Sequence, residues 1–152
     1  MFTPKICLVC SSRGHLFSMY LLREVWEPYD RVWVTHKCLE TDHFLKEEEI
    51  VTAYAPTDRN LPNMVRNFFL ALRLLRKERP QMVISTGAGV GVPFIYAAKI
   101  LGIPTMFIEA WTRVESLSMT GRLIYPVVDH LFVQYPELAK KYKKAKFKGQ
   151  YV

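Results

Sequence analysis

The stretch at 82–113, MVISTGAGVGVPFIYAAKILGIPTMFIEAWTR, constrains this chain more than any other. Two short apolar runs, 82–85 and 105–108, flank a glycine loop at 86–91, a helix-length segment at 92–101 and a Gly-Ile-Pro turn. Apolar runs of this length separated by one helix are the signature of a βαβ crossover in a parallel sheet buried on both faces. Polar residues gather where the runs end: Ser85 and Thr86 after the first, Glu109, Thr112 and Arg113 after the second. Ligands of open α/β sheets bind at that carboxyl edge. A site is expected there.

The remaining segments fit the same plan. A strand at 6–10 runs into Ser11-Ser12-Arg13-Gly14-His15 and then a helical pattern over 16–26. That is strand, small-residue turn and helix, the first unit of a Rossmann-like half. Strands are predicted at 32–35 and 50–54, with a short acidic helix over 41–49 capped by Thr41 between them. The longest helix spans 60–79, with Asn60 as its cap, Pro62 in its first turn and Pro80 as its stop. Its expected core face is Leu61, Met64, Val65, Phe68, Phe69, Leu72 and Leu75. After the central crossover come a loop at 116–121, a short helix near 122–129, a strand at 130–134, a basic helix at 136–144 and a possible edge strand at 147–152. With no repeat or linker, the prediction is one α/β domain over 1–152, a mainly parallel Rossmann-like sheet with helices on both faces.

Half of the 152 residues are hydrophobic, which excludes a disordered chain except at its C-terminal end, and the net charge of +7 asks for an anionic partner. Cys7 and Cys10, three apart on one strand, point to opposite faces, so the three cysteines form neither a disulfide framework nor a metal set. They read as buried thiols of a reducing compartment. No leader is expected at the N-terminus, and no window reaches the roughly 18 apolar residues that span a bilayer, so membrane contact is expected to be peripheral. Basic residues without interleaved aromatics do not suit nucleic acid.

Four constellations carry chemistry. The turn at 11–15 lacks the G-x-G-x-x-G spacing of a dinucleotide fingerprint, yet offers backbone N–H groups at a helix start to a phosphate. His15 stands above the sheet edge, either as a base or as a helix-capping residue. Gly87, Gly89 and Gly91 suit either a pyrophosphate approached by backbone or tight helix packing. Glu109 is either a partly buried base or sugar-binding carboxylate, or half of a structural pair with Arg113. The helix at 60–79 is either an ordinary core helix or one that offers Met64, Phe68 and Phe69 to a headgroup layer, with Arg66, Arg73 and Arg76 meeting anionic lipid.

These residues resemble a known family over most of the chain. The segments CSSRGHL (10–16), VISTGAGVGVPF (83–94), FIEAWTRVESLSMTGRLIYPVVDHLFVQYPEL (107–138) and the ending KFKGQYV are similar to the acceptor-side subunit of the split N-acetylglucosaminyltransferase of asparagine-linked glycosylation. They also resemble its bacterial PssD- and CpsF-type counterparts in capsule and exopolysaccharide synthesis. The resemblance implies the N-terminal half of a GT-B glycosyltransferase working as a heterodimer with a separate donor-binding subunit. The acceptor would be a polyprenyl-pyrophosphate sugar at the cytoplasmic face of the cell membrane, and the linkage would form with inversion and without a metal or other cofactor. By the same resemblance, Ser11, Ser12, Arg13, Gly14, Thr86, Gly87, Gly89, Gly91 and Arg113 would hold acceptor or phosphate. His15 or Glu109 would be the base, and the basic segment 136–152 would dock the partner. The family's eukaryotic members carry an N-terminal anchor not seen here, which points to a bacterial-type protein. A membrane scaffold that only recruits a catalytic partner is the rival expectation. A free-standing nucleotide-binding protein is disfavoured, because Glu40 and Asp42 lie well past the second strand.

Overall fold

The computed structural model describes residues 3–150. Seven parallel strands form one sheet in the order β3-β2-β1-β4-β5-β6-β7. The strands are β1 (Lys5–Cys10), β2 (Asp30–Thr35), β3 (Ile50–Thr52), β4 (Met82–Gly87), β5 (Thr105–Ile108), β6 (His130–Phe132) and β7 (Ala145–Lys146). The chain builds outward from β1 to β3, then returns to β4 on the other side of β1. Between the carboxyl ends of β1 and β4 the connections diverge, and that divergence opens the crevice in such sheets.

Helices cover both faces. Helices α1 (Gly14–Leu21), α2 (Arg23–Trp26) and α3 (Leu39–Phe44) pack over Leu8, Trp33 and Ile84. Helices α4 (Leu61–Glu78) and α5 (Gly91–Ile100) cover Cys7, Val9 and Val83 on the opposite face. Helices α5, α6 (Met119–Ile124) and α7 (Pro136–Lys141) close over Phe107 and Leu131. Cys7 and Cys10 indeed fall in clusters on opposite faces, and all three cysteines are free thiols.

Several boundaries depart from the sequence expectation, each for a local reason. The first helix breaks at Leu22, because the Trp26 indole N–H takes the Met19 carbonyl at 2.7 Å. The acidic helix ends at Phe44 and its cap is Cys38, whose sulfur accepts from Thr41 N–H while Thr41 Oγ1 accepts from Cys38 N–H. Glu47–49 lie outside it, and Glu48 instead engages Arg31 at 2.7 Å. Strand β3 stops at Thr52 because both backbone groups of Tyr54 bond to the Asn67 side chain. Helix α6 starts earlier than expected because Ser118 caps it, accepting from Gly121 N–H at 3.0 Å. The last strand is β7, ahead of the expected 147–152, of which residues 151 and 152 lie outside the described residues.

The largest correction concerns α4. Asn60 caps it as expected, and Arg79, in the left-handed region at φ 48°, ends it before Pro80. Its buried face, however, is Asn63, Asn67, Ala71, Leu74 and Leu75. Of the expected core set Leu75 is buried and Met64, Phe68 and Leu72 are half-buried against the core, whereas Leu61, Val65 and Phe69 are 69%, 47% and 59% exposed. Two asparagines one turn apart point inward because the 54–57 loop has backbone groups to satisfy. Asn67 binds Tyr54 through both amide atoms, and Asn63 Nδ2 donates to Pro56 O at 2.8 Å. An unpaired buried peptide group costs more than an exposed apolar side chain, so the polar stripe turns inward.

Candidate functional site

The carboxyl ends of β1, β4 and β5 meet at a cleft of about 250 Å³ lined by His15, Thr86, Gly87, Glu109, Arg113 and Ser118 among others. A bulge in β4 shapes its floor. Register with β1 slips by one after Val9, so Val9 faces Ser85 but Cys10 faces Gly87, leaving Thr86 as the extra residue. Thr86 and His15 then lock onto each other. Thr86 Oγ1 donates to His15 O at 2.7 Å, and His15 Nδ1 donates to Thr86 O at 2.9 Å. A carbonyl can only accept, so the proton of a neutral imidazole sits on Nδ1. Nε2 is left with its lone pair. The ring is thus oriented as a proton acceptor.

Gly87 makes this approach possible. Its φ of +97° lies where glycine is favoured, and a β-carbon there would stand 3.1 Å from His15 Nδ1. Ser11 ties the turn to the same place, its N–H donating to Gly87 O at 2.7 Å and its Oγ accepting from Ala88 N–H at 3.1 Å. Gly89 and Gly91 do not line the cleft. A side chain at Gly89 would meet Thr57, and one at Gly91 would stand 2.5 Å from Ser85 Oγ, so both glycines serve close packing. Gly14 has open space around it, Arg13 is exposed with φ at 65°, and neither these two nor Ser12 lines the cleft.

Glu109 is placed differently from His15. It is 1% exposed, and both carboxylate oxygens are engaged. Oε1 accepts from Ala110 N–H at 3.0 Å, while Oε2 accepts from the N–H and the hydroxyl of Ser118, both at 2.9 Å. Gly121 supplies the room, since a β-carbon there would lie 2.5 Å from Oε2. Glu109 therefore fastens the 110–118 loop and the start of α6 to the end of β5. The alternative of an ion pair with Arg113 is not realised: the salt bridges among the described residues are Lys5–Glu78, Arg23–Glu27 and Arg31–Glu48. Arg113 is exposed on the cleft wall. It has no carboxylate partner among the described residues.

Asp58, Phe107, Ser118 and Thr120 also line the cleft and were not singled out from sequence. Asp58 follows the turn held by Asn63 and Asn67, so the inward asparagines indirectly bring it there. The i, i+4 asparagine pair on an apolar helix was the available signal. Among the described residues no cluster of metal-ligating side chains occurs, and no helix is long and apolar enough to cross a membrane.

The same Rossmann-like α/β fold occurs within larger solved structures. Acinetobacter baumannii MurG superposes with a TM-score of 0.72 at 19% identity, covering 89% of this chain and 43% of that one. The UDP-N-acetylglucosamine 2-epimerase of Rickettsia bellii superposes with a TM-score of 0.77 at 14% identity, covering 99% and 46%. At these identities the likeness is one of fold. Sequence narrows it further: the family described as "Oligosaccharide biosynthesis protein Alg14 like" matches residues 50–151, and the chain belongs to that family. The protein named "UDP-N-acetylglucosamine transferase subunit ALG14" is 30% identical in Eremothecium gossypii, over 71% of this chain and 52% of that protein. The human protein of that name is 32% identical over 58% and 44%. The Schizosaccharomyces pombe one is 41% identical over 46% and 36%. The chain thus spans about half the length, or less, of these curated relatives.

Proposed function

We propose that this chain is the acceptor-binding subunit of a two-subunit inverting glycosyltransferase. It transfers a sugar from a UDP-sugar to a polyprenyl-pyrophosphate-linked sugar in bacterial capsule or exopolysaccharide synthesis. The relatives' names favour UDP-N-acetylglucosamine as the donor. One observation carries the reading: an imidazole whose Nδ1 is tied to Thr86 O, leaving Nε2 as acceptor, in a cleft that Arg113 also lines. His15 takes the proton of an acceptor hydroxyl. The oxygen attacks the anomeric carbon of the donor from the face opposite the leaving group, and the bond to the diphosphate breaks with its electron pair. Thr86, Gly87 and Arg113 hold the acceptor's pyrophosphate, while Glu109 keeps the 110–118 loop in place. The donor-binding partner docks on the segment at 136–152. The subunit works at the inner face of the cell membrane, held peripherally through Met64, Phe68 and Phe69 of α4 and the arginines at 66, 73 and 76.

A second reading rests on Glu109, whose oxygens are fully engaged within the chain: a membrane scaffold that recruits and activates a catalytic partner. Sugar transfer from a panel of UDP-sugars, by this chain alone and with a donor subunit, separates the two. Transfer only in the pair, lowered about 10²–10⁴-fold by His15→Ala at unchanged thermal stability, is the expected result. Full transfer by the His15→Ala pair leaves the scaffold.

A further inference from the structure

The geometry points to Asp58 as the residue that recognises the acceptor's sugar: its carboxylate accepts hydrogen bonds from sugar hydroxyls and so selects the sugar presented to His15. This rests on the acceptor-binding reading above and assigns the end of the acceptor that Thr86, Gly87 and Arg113 leave unheld. Asp58 lines the same cleft as His15 and Arg113. Among the described residues its carboxylate makes no ion pair or hydrogen bond, whereas Glu109, the other acid of the lining, has both oxygens engaged. An ionised carboxylate can only accept, so the ligand group beside it must carry O–H or N–H donors rather than phosphate oxygens. Arg113 has the opposite preference, since a guanidinium donates and attracts an anion. Both line one cleft of about 250 Å³, yet they do not pair with each other. A molecule with an anion at one end and hydroxyls at the other satisfies both, and a sugar linked to pyrophosphate is of that kind.

The way Asp58 is held supports the assignment. Its loop is fastened from two sides. From α4, Asn67 binds both backbone groups of Tyr54, and Asn63 Nδ2 donates to Pro56 O at 2.8 Å. From the glycine loop, Gly89 packs so closely that a β-carbon there would stand 3.1 Å from Thr57 O. The residue just after Asp58 is Arg59, at φ 52°, in a left-handed region that a non-glycine residue enters at a cost. Two inward asparagines, a glycine without a side chain and a strained arginine thus converge on one short loop, and its one acid is Asp58. A carboxylate on a loop held in this way is positioned before the ligand arrives, which lowers the ordering cost of binding.

The test measures, by calorimetry on the full chain in solution, binding of geranyl pyrophosphate and of geranyl pyrophosphoryl-glucose, -galactose and -N-acetylglucosamine. At least one sugar-bearing probe should bind more tightly than geranyl pyrophosphate. Asp58→Ala should lower affinity for that probe about 10–100-fold and leave geranyl pyrophosphate bound as before. Asp58→Asn, which keeps one acceptor oxygen, should fall between the wild type and Asp58→Ala. Because Asp58 is exposed, the thermal midpoint should not move. Arg113→Ala should weaken all four probes alike. The inference is overturned if no sugar-bearing probe binds more tightly, if Asp58→Ala keeps the preference, or if it weakens geranyl pyrophosphate equally. In any of these cases, sugar transfer by the subunit pair leaves the acceptor reading standing and this one fallen. Sugar-selective binding that Asp58→Ala abolishes, with no transfer by the pair, does the reverse.

Discussion

Helices α4 and α5 pack against each other on the same sheet face, yet they meet the core in opposite ways. In α5, Gly91, Val92, Pro93, Phe94, Ile95, Ala97 and Ala98 are all buried, and the helix has little amphipathic contrast to orient it. Helix α4 has strong contrast, and its polar asparagines face inward through the first half while Leu61, Val65 and Phe69 face out. Amphipathic periodicity says that a helix has two faces. It does not say which one the rest of the protein needs. The loop at 54–57 has backbone groups that only a side-chain amide meets here, and that need outweighs the apolar stripe.

The contrast can be broken from either side. Phe94→Ala in α5 empties a fully buried position and should cost about 3–5 kcal/mol in chemical denaturation. Asn67→Ala in α4 strands both backbone groups of Tyr54 and should cost about 1–3 kcal/mol, although the substituted residue is less polar. Its effect should extend to the cleft, because the loop leading to Asp58 is then loosely held.

Cys7 lies beneath both helices and reports on their closure. Burial pushes the Cys7 thiol up and the Cys10 thiol up to about 12, from an ordinary value of 9.0. Raised folded values mean stability that is complete below pH 9 and declines as pH rises above it, where unfolded thiols ionise and buried ones do not. Denaturation midpoints should therefore fall between pH 9 and 11, and a Cys7→Ala, Cys10→Ala variant should flatten that decline. In the native protein an aromatic disulfide reagent should modify Cys38 first. Asn67→Ala should speed the reaction of Cys7 more than that of Cys10.

The smallest effect on stability belongs to the outward stripe. Phe69→Asp should change it by no more than about 0.5 kcal/mol, against the loss expected of a core phenylalanine. The same variant should bind anionic vesicles more weakly if α4 meets the membrane. A large loss of stability instead would mean that Phe69 belongs to the core after all.

The cleft teaches the same lesson at the scale of single residues. His15 and Glu109 were legible as candidates because each directly follows an apolar strand or its turn, and the structure brings both to one crevice. Their difference was not legible. His15 keeps one nitrogen outward because the extra residue of a β-bulge offers a carbonyl to the other, and a one-residue slip between strands leaves no mark in either strand's sequence. Glu109 is engaged by Ser118, nine residues onward, which required knowing that α6 starts at Met119. Likewise the three glycines of 86–91 read alike, but only Gly87 stands at the cleft, and Thr57 and Ser85 explain the other two.

By itself, the sequence determined that this chain makes a parallel α/β sheet, because apolar runs alternating with helix-length segments can bury themselves in few other ways. It also determined which sheet edge carries the polar residues, since strand direction orders them. The tertiary structure alone decided which face of α4 is inside, which glycine serves the cleft and which polar group keeps a free lone pair. Each of those depends on a partner distant in the chain, such as Tyr54 for Asn67 or Thr86 for His15, 71 residues away. Local pattern records what a residue can satisfy, and only the assembled fold supplies the group that needs satisfying.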